Sequence, residues 1–317
     1  MRRILLVKTS SLGDVVHNFP VVSDIVRAHP GARIDWVVEE SFAALPRLHP
    51  MVGLTLPVAV RRWRSRLHEA TTWREMSAFA RDLASRPYDA VIDTQGLLKS
   101  ALIARIARGR RYGLGFRASR EPLFAFYHRT FDVPRTLHAV ERNRSLAARA
   151  LGYALDTPPD YGIRAVESES RWRAVGRYAV LLHATSARAK LWPEARWIEL
   201  GERLRAQGLV SVLPWGSAEE RARSERLAAA IGQAVVPPRL ALEEAAPLLA
   251  GARCAIGVDT GLTHLAGALG VATVGIYLAT DPAATGLYGC PRAVSLGRPG
   301  ACPDAGEVAD AVQRLAA

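Results

Sequence analysis

Three short stretches carry the side chains best suited to chemistry. In residues 9–17, Thr-Ser-Ser-Leu-Gly-Asp-Val-Val-His follows an apolar run, and Asp14 falls in the first turn of the helix expected next. A carboxylate there either complements the helix dipole, worth about 0.3–1 kcal/mol, or acts as a general base, worth roughly 10²–10⁴ in rate against a hydroxyl. Gly13 lets a backbone or ligand approach closely. His17 lies three residues on, on the same face, and either orients Asp14 or packs. Ser10 and Ser11 are not surrounded by a nucleophile elbow and do not read as covalent nucleophiles.

The second stretch, residues 183–193, is His-Ala-Thr-Ser-Ala-Arg-Ala-Lys-Leu-Trp-Pro. It offers the hydroxyls of Thr185 and Ser186 and the compact ammonium of Lys190, a point charge suited to a diphosphate oxygen. The third runs from Gly257 through Asp259-Thr260-Gly261 to Ala268. Here a strand ends and a helix begins at once, so the amides of Thr260 and Gly261 stand at a positive dipole end that attracts anions. Asp259 would repel a phosphate and is expected to hold a sugar hydroxyl or the loop. His264 either donates to phosphate or is a buried structural histidine. Between these stretches, Leu213-Pro214-Trp215-Gly216 precedes Glu219 and Glu220, and a carboxylate at such a rim either takes ribose hydroxyls or complements a helix start.

A basic run, Arg61-Arg62-Trp63-Arg64-Ser65-Arg66, combines phosphate-binding guanidinium groups with an indole suited to a membrane or acyl boundary. Arg108, Arg110, Arg111, Arg117 and Arg120 continue it. Neither a recognition module nor an aromatic platform for nucleic acid accompanies it.

Such side chains need strand ends to hold them. Apolar runs predict strands over 3–8, 34–38, 54–60 and 90–93, with a helix over 12–28. In the second half, strands are expected over 178–183, 210–214, 254–258 and 273–277, with helices over 193–207, 218–231, 242–250 and 262–269. Alternating strands and helices mean parallel sheets with crossover helices. The turn-rich stretch 156–162 is the expected linker. The chain divides accordingly into a basic domain, 1–160, and a second Rossmann-like domain, 161–317. No GxGxxG follows a strand, which leaves a dinucleotide role for the first domain without its motif.

The 317 residues are 49% hydrophobic and 23% charged, ordinary for a globular protein. The apolar runs are too short to span a bilayer. Cys254, Cys290 and Cys302 suit neither a disulfide framework nor a zinc site, which points to a reducing, cytoplasmic setting. Residues 1–150 hold 25 Lys and Arg against 13 Asp and Glu, while residues 151–317 hold 17 of each. The whole excess of +12 thus lies in the first half, and the two halves are expected to meet different ligands, the first a polyanionic one.

Taken together, KTSSLGDVVH (8–17), DWVVEE (35–40), RRWR (61–64), YDAVIDTQGLLKSA (88–101), HAVERNR (138–144), HATSARAKLWP (183–193), LPWG (213–216) and VDTGLTHLAGAL (258–269) resemble the lipopolysaccharide heptosyltransferases of glycosyltransferase family 9. KTSSLGD and HATSARAK match the branch that adds the first heptose. The resemblance implies a GT-B architecture, two Rossmann-like domains facing across a central cleft. It implies inverting, metal-independent transfer of heptose from ADP-heptose to Kdo2-lipid A, with no cofactor and Asp14 as the base. Thr185, Ser186, Lys190, Thr260, Gly261 and His264 would hold the diphosphate, Glu220 the ribose, Leu240 the adenine and Asp259 the heptose. Ser10, Ser11, Gly13, Arg61, Arg62, Arg64 and Arg120 would face the acceptor. The basic half would rest on the cytoplasmic face of the inner membrane, with no nucleic-acid partner. Ser186, in place of a second threonine, Ser65 and Leu278-Ala279 depart from the family pattern. The rival readings are a family member acting on a later acceptor, a sugar-nucleotide epimerase of the same architecture, and a non-catalytic binder.

Overall fold

Arg3–Val7 (β1) is buried from Ile4 onward, as befits a central strand covered on both faces. In the computed structural model, residues 2–164 and 175–316 are described. They form two compact units, Met1–Ile163 and Arg164–Ala317. In the first, β1 is flanked on one side by β2 (Arg33–Glu39) and β3 (Val52–Val58). On the other side lie β4 (Pro87–Asp93), β5 (Arg108–Leu114) and β6 (Arg129–Phe131), in the order β3-β2-β1-β4-β5-β6. All of these pairs are parallel.

The second unit repeats the plan with β7 (Tyr178–Leu182), β8 (Val210–Val212), β9 (Ala234–Val235), β10 (Cys254–Val258), β11 (Thr273–Ile276) and β12 (Ala293–Leu296), ordered β12-β11-β10-β7-β8-β9 and again parallel. Counted within each unit, both orders are 3-2-1-4-5-6, the doubly wound dinucleotide-fold order. Each unit therefore has one switch point, between β1 and β4 and between β7 and β10, where crossovers leave in opposite directions. Ligands of such sheets bind outside the carboxyl ends of the strands at that point.

The connecting helices of the first unit are α1 (Leu12–Val16), α2 (Phe19–Ala28), α3 (Val60–Ser65), α4 (Ala70–Ser85), α5 (Leu98–Ile106) and α6 (Ala139–Leu151). Those of the second are α7 (Glu194–Ala206), α8 (Ala218–Ile231), α9 (Leu242–Ala250), α10 (Gly261–Ala268), α11 (Pro282–Thr285) and α12 (Ala305–Ala316). Trp192, Trp197 and Leu200 anchor the core of the second unit against Ile256 and Val274. Among the described residues no helix is long and apolar enough to cross a membrane.

Several expectations need correction. The helix over 12–28 is two helices, because Pro20 cannot continue α1; it sits instead in the first turn of α2, where its missing N–H costs nothing. The strand over 54–60 ends at Val58, and the basic run that follows forms a helix, α3. Four strands were not anticipated: β5 is masked by arginines and glycines, while β6, β9 and β12 are only three, two and four residues long. The stretch 156–162 is no free linker. Buried Arg144 pairs with Asp24 at 2.7 Å and donates to Thr157 O, tying the stretch to α2 and α6, and Tyr161 is buried.

Candidate active site

In the first unit, the switch point gathers its polar groups by reaching across strands. β1 ends at Val7, and the chain then turns outward through Thr9 and Ser10. Their amides both donate to Gln95 Oε1, at 3.0 and 3.1 Å, from the turn after β4. That turn is itself fixed: the amides of Gln95 and Gly96 donate to Asp93 Oδ1, and Tyr127 OH donates to Oδ2 at 2.7 Å. Burial raises the Asp93 pKa, while these donors oppose the rise. Lys99, one turn further on, donates to Ser10 Oγ at 2.7 Å.

Asp14 occupies the third position of α1, and its Oδ2 accepts from both Ser11 N and Ser11 Oγ at 2.8 Å. It therefore caps the helix and offers a carboxylate at the strand end at once. Burial would raise its pKa, but Lys8, the two Ser11 donors and Arg120 outweigh it and hold the carboxyl below its ordinary value. Buried Lys8 donates to Thr94 O at 3.0 Å, and burial lowers its pKa. Burial also lowers the pKa of Lys99, whose field includes Glu39, Arg61, Arg64 and Asp14. His17 is buried edge-on to His138, 5.4 Å between ring centroids. Gly13 O accepts from His17 N within α1.

The basic helix α3 is more specialised than its composition suggests. Arg61 N donates to Glu39 Oε1, and its guanidinium lies over the Phe42 ring. Arg62 is held by Glu40 through two hydrogen bonds and by Glu75 at 2.8 Å. Arg64 and Arg120 are exposed. Trp63 does not face outward. It packs edge-on to Phe79 at 5.9 Å against the core, and its indole N–H donates to Glu75, so the outward, membrane-boundary setting expected for this indole is not the one it occupies.

In the second unit, Asp259 is the hub of the switch point. Its Oδ2 accepts from Lys190 Nζ at 2.6 Å and from Thr280 Oγ1 at 2.6 Å, while Oδ1 lies 3.4 Å from His264 Nε2. Thr185 Oγ1 donates to the Asp259 carbonyl. One carboxylate thus joins the loops after β7, β10 and β11. Burial works against its charge, but hydrogen bonds from His264, Lys190 and Thr280 prevail and hold it well below the usual carboxylate range. Buried Thr263 fixes the turn by donating to Val258 O at 2.8 Å. Thr260 takes the N-cap position of α10 without a side-chain cap hydrogen bond, the first helical residue, Gly261, is partly exposed, and Ser186 is exposed in the loop after β7.

Glu220 is committed locally: its Oε2 accepts from Gly216 N and Ser217 N, closing the start of α8. Leu240 is half-buried in the stretch between β9 and α9. Among the described residues no group of three or more His, Cys, Asp or Glu side chains could hold a metal ion.

Gln95, Lys99 and Thr280 are the residues that motif reading passed over as site members. A compositional signal was present for Lys99. The chain holds 39 arginines and three lysines, Lys8, Lys99 and Lys190, and all three stand at the two switch points.

Two doubly wound units, each with a charged cluster at its switch point, have the architecture of the GT-B class of glycosyltransferases. The family model of glycosyltransferase family 9 (heptosyltransferase) matches residues 76–308. The chain belongs to that family. It is 48% identical over 290 residues to lipopolysaccharide heptosyltransferase 1 of Pseudomonas aeruginosa, covering 90% of this chain and 81% of the relative. Among solved structures, the Escherichia coli heptosyltransferase WaaC with ADP superposes with a TM-score of 0.90 at 40% identity, covering 99% of each chain. The same enzyme with ADP-2-deoxy-2-fluoro heptose gives 0.85 at 41%, covering 98% of each.

Proposed function

We propose that the chain transfers L-glycero-D-manno-heptose from ADP-heptose to the first Kdo of Kdo2-lipid A, with inversion and without a metal, in building the lipopolysaccharide inner core. The donor is inferred from a structure that holds an ADP-heptose analogue on a 41% identical chain. The observation that carries the reaction type is Asp14, a carboxylate kept ionised at the end of β1 by Lys8, Ser11 and Arg120.

In this reading Asp14 takes the proton of the acceptor hydroxyl as its oxygen attacks the anomeric carbon. The bond from that carbon to the diphosphate breaks, and ADP departs. A base of low pKa gains its proton late, once the forming bond has made the hydroxyl acidic. Displacement from the face opposite ADP inverts the anomeric centre.

Charge growing on the diphosphate is met by Lys190, the Thr260 and Gly261 amides at the start of α10, the Thr185 and Ser186 hydroxyls and His264. Asp259 holds Lys190 in place and receives heptose hydroxyls. Glu220 takes the ribose and Leu240 lies against adenine. Ser10, Ser11, Gly13, Arg61, Arg64 and Arg120 meet the anionic acceptor, and Arg62, braced by Glu40 and Glu75, orients that group. The first unit works at the cytoplasmic surface of the inner membrane.

The test is ADP release by the purified protein, given ADP-heptose with and without Kdo2-lipid A, in excess EDTA. Release that requires this acceptor and survives EDTA supports the reading. Release only with an acceptor that already carries the first heptose moves the chain to a later step. Release without any acceptor points to a hydrolase, and a changed nucleotide sugar without net ADP release points to an epimerase.

A further inference from the structure

The outer face of α5 is built the wrong way round for water. A helix that covers a sheet buries one stripe and turns a polar one outward. Here Ala101, Ile103, Ala104 and Ala107 face the core, yet Leu98, Leu102 and Ile106, at four-residue steps, are 48%, 50% and 36% exposed. Their spacing places them on one face. The helical turn at residues 124–126 packs on α5, and it adds Phe124, 56% exposed. On α4, which also packs on α5, Trp73 is 55% exposed. Large hydrophobic side chains exposed on adjoining elements in this way mark an interaction surface.

The charge beside this face indicates what it meets. Arg105 lies on α5 itself, and Arg110 and Arg111 follow on β5. Burial and Arg105 together lower the pKa of Arg111. Arg111 donates to Phe126 O and lies 3.2 Å from His128 Nε2, and His128 is lowered by burial and then by Arg111, Arg110 and Arg105, so the three guanidinium groups add their positive charge at one locality. An apolar stripe edged by arginines is complementary to an anionic lipid surface: hydrocarbon takes the stripe, and phosphate takes the guanidinium groups. A second copy of the chain would bring the same arginines against each other.

We infer that α5, with Phe124 and Trp73 at its sides, is the face by which the first unit seats itself on an anionic bilayer. The inference deepens the proposed function, in which the acceptor is lipid-linked, by naming the membrane-contacting surface. Leu98, Leu102 and Ile106 enter the acyl boundary to the depth of a side chain, while Arg105, Arg110 and Arg111 lie among headgroup phosphates.

Vesicle flotation with the full-length protein and no substrate tests it, using phosphatidylcholine vesicles with and without about one-third phosphatidylglycerol. The wild type should float with the anionic vesicles and much less with the neutral ones. Leu102→Glu and, separately, Ile106→Ser with Phe124→Ser should each weaken partitioning about tenfold or more, and Arg105→Glu should weaken it several-fold. All should keep the wild-type melting temperature and the rate on a de-acylated, soluble acceptor. Variants that float like the wild type overturn the assignment. So does a wild type that is dimeric in sedimentation and becomes monomeric in Leu102→Glu, since the face would then be a subunit interface. Because flotation uses no substrate, failure of the heptosyltransferase reading would leave this result standing, and the reverse also holds.

Discussion

Lys190 Nζ lies 2.6 Å from Asp259 Oδ2, and this pair joins the loop after β7 to the turn that starts α10. An ammonium held by a carboxylate is already placed and partly desolvated before an anion arrives, so less ordering remains when it binds. Lys190→Met should weaken ADP binding about tenfold to a hundredfold, the range for losing a charge-assisted hydrogen bond. Lys190→Arg should recover little of it, since a planar fork does not replace a point charge at this spacing. Isothermal titration with ADP measures both; unchanged affinity in Lys190→Met would remove the lysine from the donor site.

Asp14→Ala should lower kcat by roughly 10²–10⁴ while leaving ADP affinity near its wild-type value, because the two clusters belong to different sheets. The variant also loses the acceptor of Ser11 N and Ser11 Oγ, so a modest loss of stability, about 0.5–2 kcal/mol, accompanies it. Single-turnover ADP release and thermal unfolding separate the two effects. A variant with wild-type kcat would leave Asp14 as a helix cap alone.

Gln95 touches no predicted substrate atom, yet it holds the two residues that lead into Ser11. Gln95→Ala should lower kcat about tenfold with little change in donor KM, since small misplacements of a base are costly. Gln95→Glu keeps the acceptor oxygens but adds a negative charge near Asp14. It should recover the rate in part and move the acid limb of the pH–rate profile upward. An unmoved limb would count against this positioning role.

Two buried histidines should make the fold acid-sensitive before its carboxylates titrate. Burial lowers both His49 and His183 from 6.5 to about 4; each bonds a serine hydroxyl, Ser23 and Ser224 respectively. Between those pH values the unfolded chain binds protons that the native chain refuses. Their stabilisation is therefore complete above about pH 6.5 and is lost as the pH falls toward 4, at up to ~1.4 kcal/mol per pH unit for each. His183→Gln should flatten that fall in chemical denaturation measured from pH 7 to 4. An equally steep fall in the variant would assign the sensitivity elsewhere.

Gly257, within β10, has no room for a side chain. A Cβ there would meet the Thr263 hydroxyl and press Leu182. Gly257→Ala should cost about 1–3 kcal/mol and, by displacing Thr263 from Val258 O, loosen the turn that carries Asp259. Lower melting temperature with weaker ADP binding is the expected pair of results. A fall in stability alone would show that the turn tolerates the shift.

The motifs of this chain were legible because strand, turn and first helical residue are contiguous in sequence. Asp14 and the Asp259-Thr260-Gly261 turn could be placed from local pattern alone. Gln95 and Lys99 could not, since they reach the Asp14 loop from the neighbouring strand, and that adjacency follows from strand order. The order itself is a tertiary fact. Trp63 misled for a related reason: its neighbours in sequence are arginines, but its neighbours in space are Phe79 and Glu75. The short edge strands β6 and β9 escaped notice because two or three residues carry no period, and β5 because its arginines hide one.

The scarcity of lysine has a practical side. With Lys8 and Lys99 in the Asp14 cluster and Lys190 on Asp259, every side-chain amine of the chain reports on one of two places. An amine-directed reagent followed by peptide mass spectrometry would thus footprint occupancy with almost no background, the α-amino group being the other competing amine. Protection of Lys190 by ADP and of Lys99 by acceptor, each without the other, would read the two ligands independently on a single unlabelled sample.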